Sequence, residues 1–128
     1  LGRPRYGLET LEYQLGIFDG LPEPVQRKYL FDVIDAVPTI PQDIGKMVDA
    51  WVKGDAAELA VLLNSETDDP ALYDALLTKR NKNWAVWIDN RLDKPGVVFI
   101  AVGAGHLGGK DSVQELLRKR KIKAVRVQ

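Results

Sequence analysis

Apolar residues along this chain follow two different rhythms, and the change of rhythm divides it. Up to about residue 93 they recur at helical spacing; from residue 97 they come in short unbroken runs. Thr10 can N-cap a helix with Leu11, Leu15 and Phe18 on one face, closed by Gly20. Pro22 and Pro24 fit the first turn of a second helix striped by Val25, Tyr29, Leu30, Val33, Ile34 and Val37, which Pro38 ends. Thr39-x-x-Gln42 reads as a capping box for a third, with Ile40, Ile44, Met47, Val48 and Trp51 in line and Gly54 beyond its end. Asp55-x-x-Glu58 opens a short helix through Leu59, Leu62 and Leu63. Asp69 followed by Pro70 starts the longest one, predicted to run to about residue 93 with Tyr73, Leu77, Arg80, Trp84, Trp87, Ile88 and Leu92 along its stripe.

Pro95 and Gly96 break that helix, and residues 97–103 then read as a strand buried on both faces. A glycine-rich turn follows, carrying His106 between Gly103, Gly105, Gly108 and Gly109. Ser112-x-x-Glu115 caps a last helix from near Asp111, and Ile122, Val125 and Val127 mark a closing strand over 122–127. Residues 5–9 make a third strand candidate, with Gly7 as a bulge or close packing point. The fold class expected is therefore mixed α/β, helix-rich, in one domain over residues 1–128. Three strands are too few for a covered parallel sheet. Residues missing from this chain, or another copy of it, are expected to complete the sheet, so an isolated monomer is the less favoured state.

Composition narrows the functional classes. The chain has 128 residues, enough for one core, with 18 basic and 18 acidic residues and a formal net charge of +0. That balance gives no electrostatic case for nucleic acid or an anionic membrane surface. The absence of cysteine removes disulfides, thiolate nucleophiles and cysteine-type zinc sites. No apolar run approaches the ~20 residues of a membrane helix, and no signal peptide is seen. The chain starts at Leu1 rather than Met, as a processed or truncated product would.

Candidate chemistry collects at the strand ends. Gly103-x-Gly105-x-x-Gly108 matches a dinucleotide fingerprint, but it lies too late in the chain for a second half-domain. No acid follows to hold a ribose, and three residues delay the helix, so a nucleotide is not expected. His106 sits after a predicted strand, where open α/β sheets bind ligands, and suits proton transfer or metal ligation as well as a purely structural role. One histidine makes no zinc site alone, so carboxylates or another chain must help. Glu9 ends the first predicted strand, whereas Glu12 fits the helix dipole. Arg80 interrupts an apolar stripe; it either snorkels along the helix flank or faces a carboxylate or anionic substrate. Lys79, Lys82, Arg118, Lys119, Arg120, Lys121 and Lys123 read as solvated, and Trp51, Trp84 and Trp87 as core.

Three stretches carry a resemblance: GLETLEYQLGIFDGLP over 7–22, LYDALLTKRNKNWAVWI over 72–88, and VFIAVGAGHLGGKDSVQELLRKRKIKAVRV over 98–127. They resemble the GumN/TraB family, within a superfamily that includes the Tiki-type metalloproteases and, more remotely, erythromycin esterases. The most specific part is a GxxH motif, here Gly103 to His106, supported by Leu8, Glu9, Thr10 and Gln14 and by the Arg80-Asn81 pair. The resemblance spans nearly the whole chain but only the carboxyl-terminal half of a family member. It implies a hydrolase-like site of two GxxH motifs, a glutamate and an arginine, and in Tiki-type members a divalent-metal-dependent peptidase. Carried over, His106, Glu9 and Arg80 would be catalytic, with His106 and Glu9 as ligands for zinc, manganese or cobalt. Asn81 and Gly103 would lie against a peptide or small-molecule substrate. The first GxxH motif, expected upstream of Gly7, is not in this sequence, so the chain would hold half a site; a ligand-binding or regulatory module on the same scaffold is the alternative. Family members are often exported or membrane-associated in bacteria.

Overall fold

The computed structural model describes residue 2 and residues 4–65 and 69–127. Four helices open the chain: α1 (Leu11–Asp19), α2 (Glu23–Ala36), α3 (Ile40–Val52) and α4 (Ala56–Asn64). A continuous helical stretch comes next, made of α5 (Pro70–Tyr73), a π-helical turn (Asp74–Thr78) and α6 (Lys79–Leu92). A 3₁₀ turn (Ala104–Leu107) and α7 (Val113–Lys119) complete the order.

Local chemistry sets most boundaries. Thr10 Oγ1 accepts from Tyr13 N at 3.1 Å, Asp55 Oδ1 from Glu58 N at 2.9 Å, and Asp69 Oδ1 from Ala71 N at 2.8 Å. Gly54 lies beyond the end of α3 at φ 68°, a left-handed turn that a side chain disfavours. Thr39 departs from its expected cap. Its hydroxyl donates to Ala36 O at 3.0 Å, tying it to the end of α2 rather than the start of α3.

The expected α/β architecture is not formed. None of the described residues lies in a strand, and the ranges 5–9, 97–103 and 122–127 have no regular secondary structure. Val97 and Phe99 are 95% and 90% exposed, where a strand covered on both faces would have hidden them. The reason is physical: β-branched runs report a fit to a neighbouring pleated surface, and no described segment lies alongside to share a hydrogen-bond ladder. The sheet on which that expectation was argued is not formed among the described residues.

What replaces the sheet is a small helical core. Trp84 and Ala85 of α6 pack on Val113, Leu116 and Leu117 of α7, and Leu8, Ile88, Val102 and Ile122 close around them. Trp84 is the tryptophan that belongs to this core; Trp51 is 71% exposed and Trp87 41% exposed, against expectation. The other packed unit is α4, which holds α3 on one side and the 3₁₀ turn on the other. Helices α1 and α2 bury no residue of their own. The chain exposes 9862 Å², where a folded monomer of its mass would expose about 6,800 Å². No described helix is long and apolar enough to cross a membrane.

Candidate functional site

The site forms where the entry to α1, the start of α6 and the 3₁₀ turn meet. The π-helical turn directly precedes α6 and carries one extra residue per turn, which resets the direction in which the α6 side chains face. Leu76, inside that turn, lends its carbonyl oxygen to Arg80 Nη1 at 3.2 Å. Arg80 is thereby held against the helix and aimed across 71 residues of sequence at Glu9.

The contact is bidentate. Arg80 Nε lies 3.0 and 3.1 Å from the two Glu9 oxygens, and Nη2 lies 2.9 Å from Oε2. Gln14 Nε2 adds a bond to Oε2 at 3.2 Å. The Glu9 and Arg80 side chains are only 6% and 17% exposed, so the pair is buried rather than decorative. Burial alone would raise the Glu9 pKa; the Arg80 and Gln14 hydrogen bonds, the guanidinium charge and the Trp84 indole more than offset it and hold the carboxyl below its ordinary range. The Trp84 Nε1–H is itself buried and makes no hydrogen bond of ordinary geometry. It nonetheless lies close enough to favour the charged form of Glu9.

Trp84 is the hub. The Arg80 guanidinium sits 5.1 Å from its ring centre on one side. The His106 ring meets it at 4.5 Å between centroids and 47° between planes. His106 is 9% exposed, and its Nδ1 is 2.7 Å from Asn81 Oδ1. Asn81, 2% exposed, sends its Nδ2 to Asp111 O at 2.8 Å. Burial first, then the Arg80 charge, lowers the His106 pKa to about 4, with Glu9 pulling weakly the other way. The imidazole is neutral at pH 7.

Glycines let this loop dock. A Cβ on Gly108 would fall 2.1 Å from Ala60 Cβ, so only glycine permits the turn to lie this close to α4. Earlier in the loop, Gly105 O accepts from Asn64 Nδ2 at 3.1 Å. Gly103 O accepts from His106 N at 3.0 Å, and Gly103 itself is exposed at the mouth of the site.

Of the residues singled out from sequence, Glu9, Arg80, Asn81 and His106 therefore come together around one indole, with Gly103 at the edge. Arg80 faces a carboxylate rather than snorkelling. Gln14, Asn64, Trp84 and the Asp111 carbonyl join them, though their sequence setting does not assign them to the site. Gln14 alone left a trace, as the fifth residue after Glu9 in the motif that includes Leu8 and Thr10.

The site is thus a buried arginine–glutamate pair beside a neutral histidine presented by a glycine turn. The model of the TraB/PrgY/gumN family matches residues 1–126, and the chain belongs to that family. Neither the curated proteins nor the solved structures yield a match.

Proposed function

We propose that this chain supplies half the active site of a divalent-metal-dependent hydrolase acting on peptides. The observation that carries the reading is His106: a neutral imidazole, buried against Trp84, beside a guanidinium that discourages its protonation. A histidine with a pKa of about 4 is a weak general base at neutral pH, but protons do not compete for its lone pair. That favours ligation over proton shuttling. Lewis acidity toward a carbonyl oxygen and water is what a divalent ion supplies to such a site.

The donor is right in kind, and the set is short in number. No group of three His, Cys, Asp or Glu side chains gathers among the described residues. Both Glu9 oxygens are already engaged by Arg80 and Gln14. Further donors must come from outside the described residues. Arg80 keeps a role beyond Glu9: Nε–H, one N–H on Nη1 and one on Nη2 are engaged, which leaves two of its five donors for an anionic group.

Calorimetric titration of zinc, manganese and cobalt into the chain and into His106→Ala tests this. Heat that vanishes in the variant supports ligation, and a fluorogenic peptide pool then reads turnover. A folded chain that takes up none of the three ions would sink metal binding by these residues alone, and the same titration with the remaining donors supplied would then decide the metal assignment.

One observation favours a second reading, a binding or regulatory module without turnover. Glu9 is locked by Arg80 and Gln14, and a cleft of about 470 Å³ lined by Tyr13, Ile17, Leu21, Ala71, Asp74 and Lys79 shares none of its lining with the site residues. Peptide binding without hydrolysis, in the presence of each metal, would favour it.

A further inference from the structure

Asn81 lies in the middle of a short relay, and the chemistry of its two ends decides the state of His106. The Asp111 main-chain oxygen can only accept a hydrogen bond, so the atom of Asn81 facing it at 2.8 Å must be the Nδ2 donor. The amide is then turned with Oδ1 toward His106 Nδ1 at 2.7 Å. An amide oxygen can only accept, which requires Nδ1 to carry the ring proton. Rotating the amide would set its oxygen against the Asp111 oxygen, two acceptors face to face at a side chain that is 2% exposed, so the Asp111 end fixes the orientation.

The remaining ring nitrogen is Nε2. It makes no hydrogen bond with the described residues, on a side chain that is 9% exposed. The ring plane is set from a second side by Trp84, 4.5 Å away. A Cβ on Gly103 would come within 3.9 Å of the ring Cδ2, so this corner is lined closely as well.

We propose that Asn81 is a positioning residue: it holds His106 as the Nδ1–H tautomer and thereby leaves the Nε2 lone pair unprotonated and unengaged by the described residues. This deepens the metal-ligand reading of His106 and rests on it for its functional meaning. It also moves Asn81 from the substrate surface, where the family resemblance would put it, to the layer behind the histidine. Free imidazole side chains in water prefer the opposite tautomer, so the state is diagnostic of an imposed partner.

The test uses the single histidine of the chain. Long-range proton–nitrogen correlation spectra of the ¹⁵N-labelled 128-residue chain assign both ring nitrogens without ambiguity. The expected result is a protonated Nδ1 and an unprotonated Nε2. Asn81→Asp keeps the acceptor toward Nδ1 while losing the donor to the Asp111 oxygen, and should keep that tautomer in a less stable chain. Asn81→Leu removes it and should shift the ring toward Nε2–H, with zinc affinity weakened about 10–100-fold, as for other residues that orient a ligating histidine. An Nε2–H ring in the unaltered chain overturns the proposal, and that measurement needs no variant to fold. Asn81→Leu that melts earlier but keeps Nδ1–H would also overturn it, since a packing role alone predicts that pattern. A chain with the Nδ1–H tautomer that binds no metal upholds the positioning role while removing the metal, so the two failures are told apart.

Discussion

Arg80 holds Glu9 through both oxygens of the carboxylate, across 71 positions of sequence, while its own flat face lies 5.1 Å from the Trp84 ring centre. One side chain thus joins the amino-terminal segment to α6 and steadies the ring on which His106 rests. A buried pair of this kind is worth little over an apolar replacement of the same shape, yet removal of one member leaves a charge without compensation.

That asymmetry gives the first prediction. Arg80→Ala should lower stability by about 3 kcal/mol, because the Glu9 carboxylate stays buried with Gln14 as its remaining hydrogen-bond donor. Arg80→Lys should recover only a minor part, since an ammonium cannot reproduce the planar two-point contact. Urea unfolding at constant m-value reads both. Equal stability of the lysine variant and the unaltered chain would show that the fork geometry contributes nothing.

Close approach of the glycine turn to α4 gives the second. Gly108→Ala places a methyl 2.1 Å from Ala60 Cβ, and the turn must lift or α4 must move. The expected cost is about 1–3 kcal/mol. The same shift should weaken whatever ligand His106 holds. Ala60→Gly in the Gly108→Ala background removes the colliding carbon and should restore part of both losses, a coupling that a double-mutant cycle measures. Additive effects of the two substitutions would mean that the clash is relieved elsewhere.

Much of the helical plan was legible because its signals are local. Thr10, Asp55 and Asp69 cap helices that begin within one or two residues of them. Thr39 misled because the same hydroxyl can serve the helix behind it, and there it does. The strands misled for the opposite reason. Residues 97–103 have the composition of a buried strand, but composition describes the side of the contact that is present and not the partner it needs. At the site, Arg80 stood out as a charge in an apolar stripe and His106 as the one histidine among glycines, whereas Glu9 rested on the end of a strand that does not form and on the family motif. Asn81 carried no such signal for its role, since its partners are 25 and 30 residues away and one of them is a main-chain oxygen.

The last prediction concerns pH. His106 has its pKa lowered from 6.5 to about 4 in the folded chain, chiefly by burial. As pH falls below 6.5, the unfolded chain takes up a proton that the folded chain refuses, so unfolding gains and stability drops. The loss continues to about pH 4, where the folded form accepts the proton as well, and this group contributes no further slope below that. Glu9 has the same sign at lower pH: its depressed pKa stabilises the folded chain above 4.5 and that stability is lost on further acidification. Asp43 and Glu115, paired with Lys46 and Arg118 at the surface, titrate in that lower range too. Between pH 6.5 and about 5, where carboxylates remain mostly charged, the slope therefore belongs to the one histidine. Urea midpoints measured across that interval should fall steadily for the unaltered chain and stay level for His106→Gln. A flat profile in both would mean that the ring titrates normally and that Trp84 and Arg80 do not shield it.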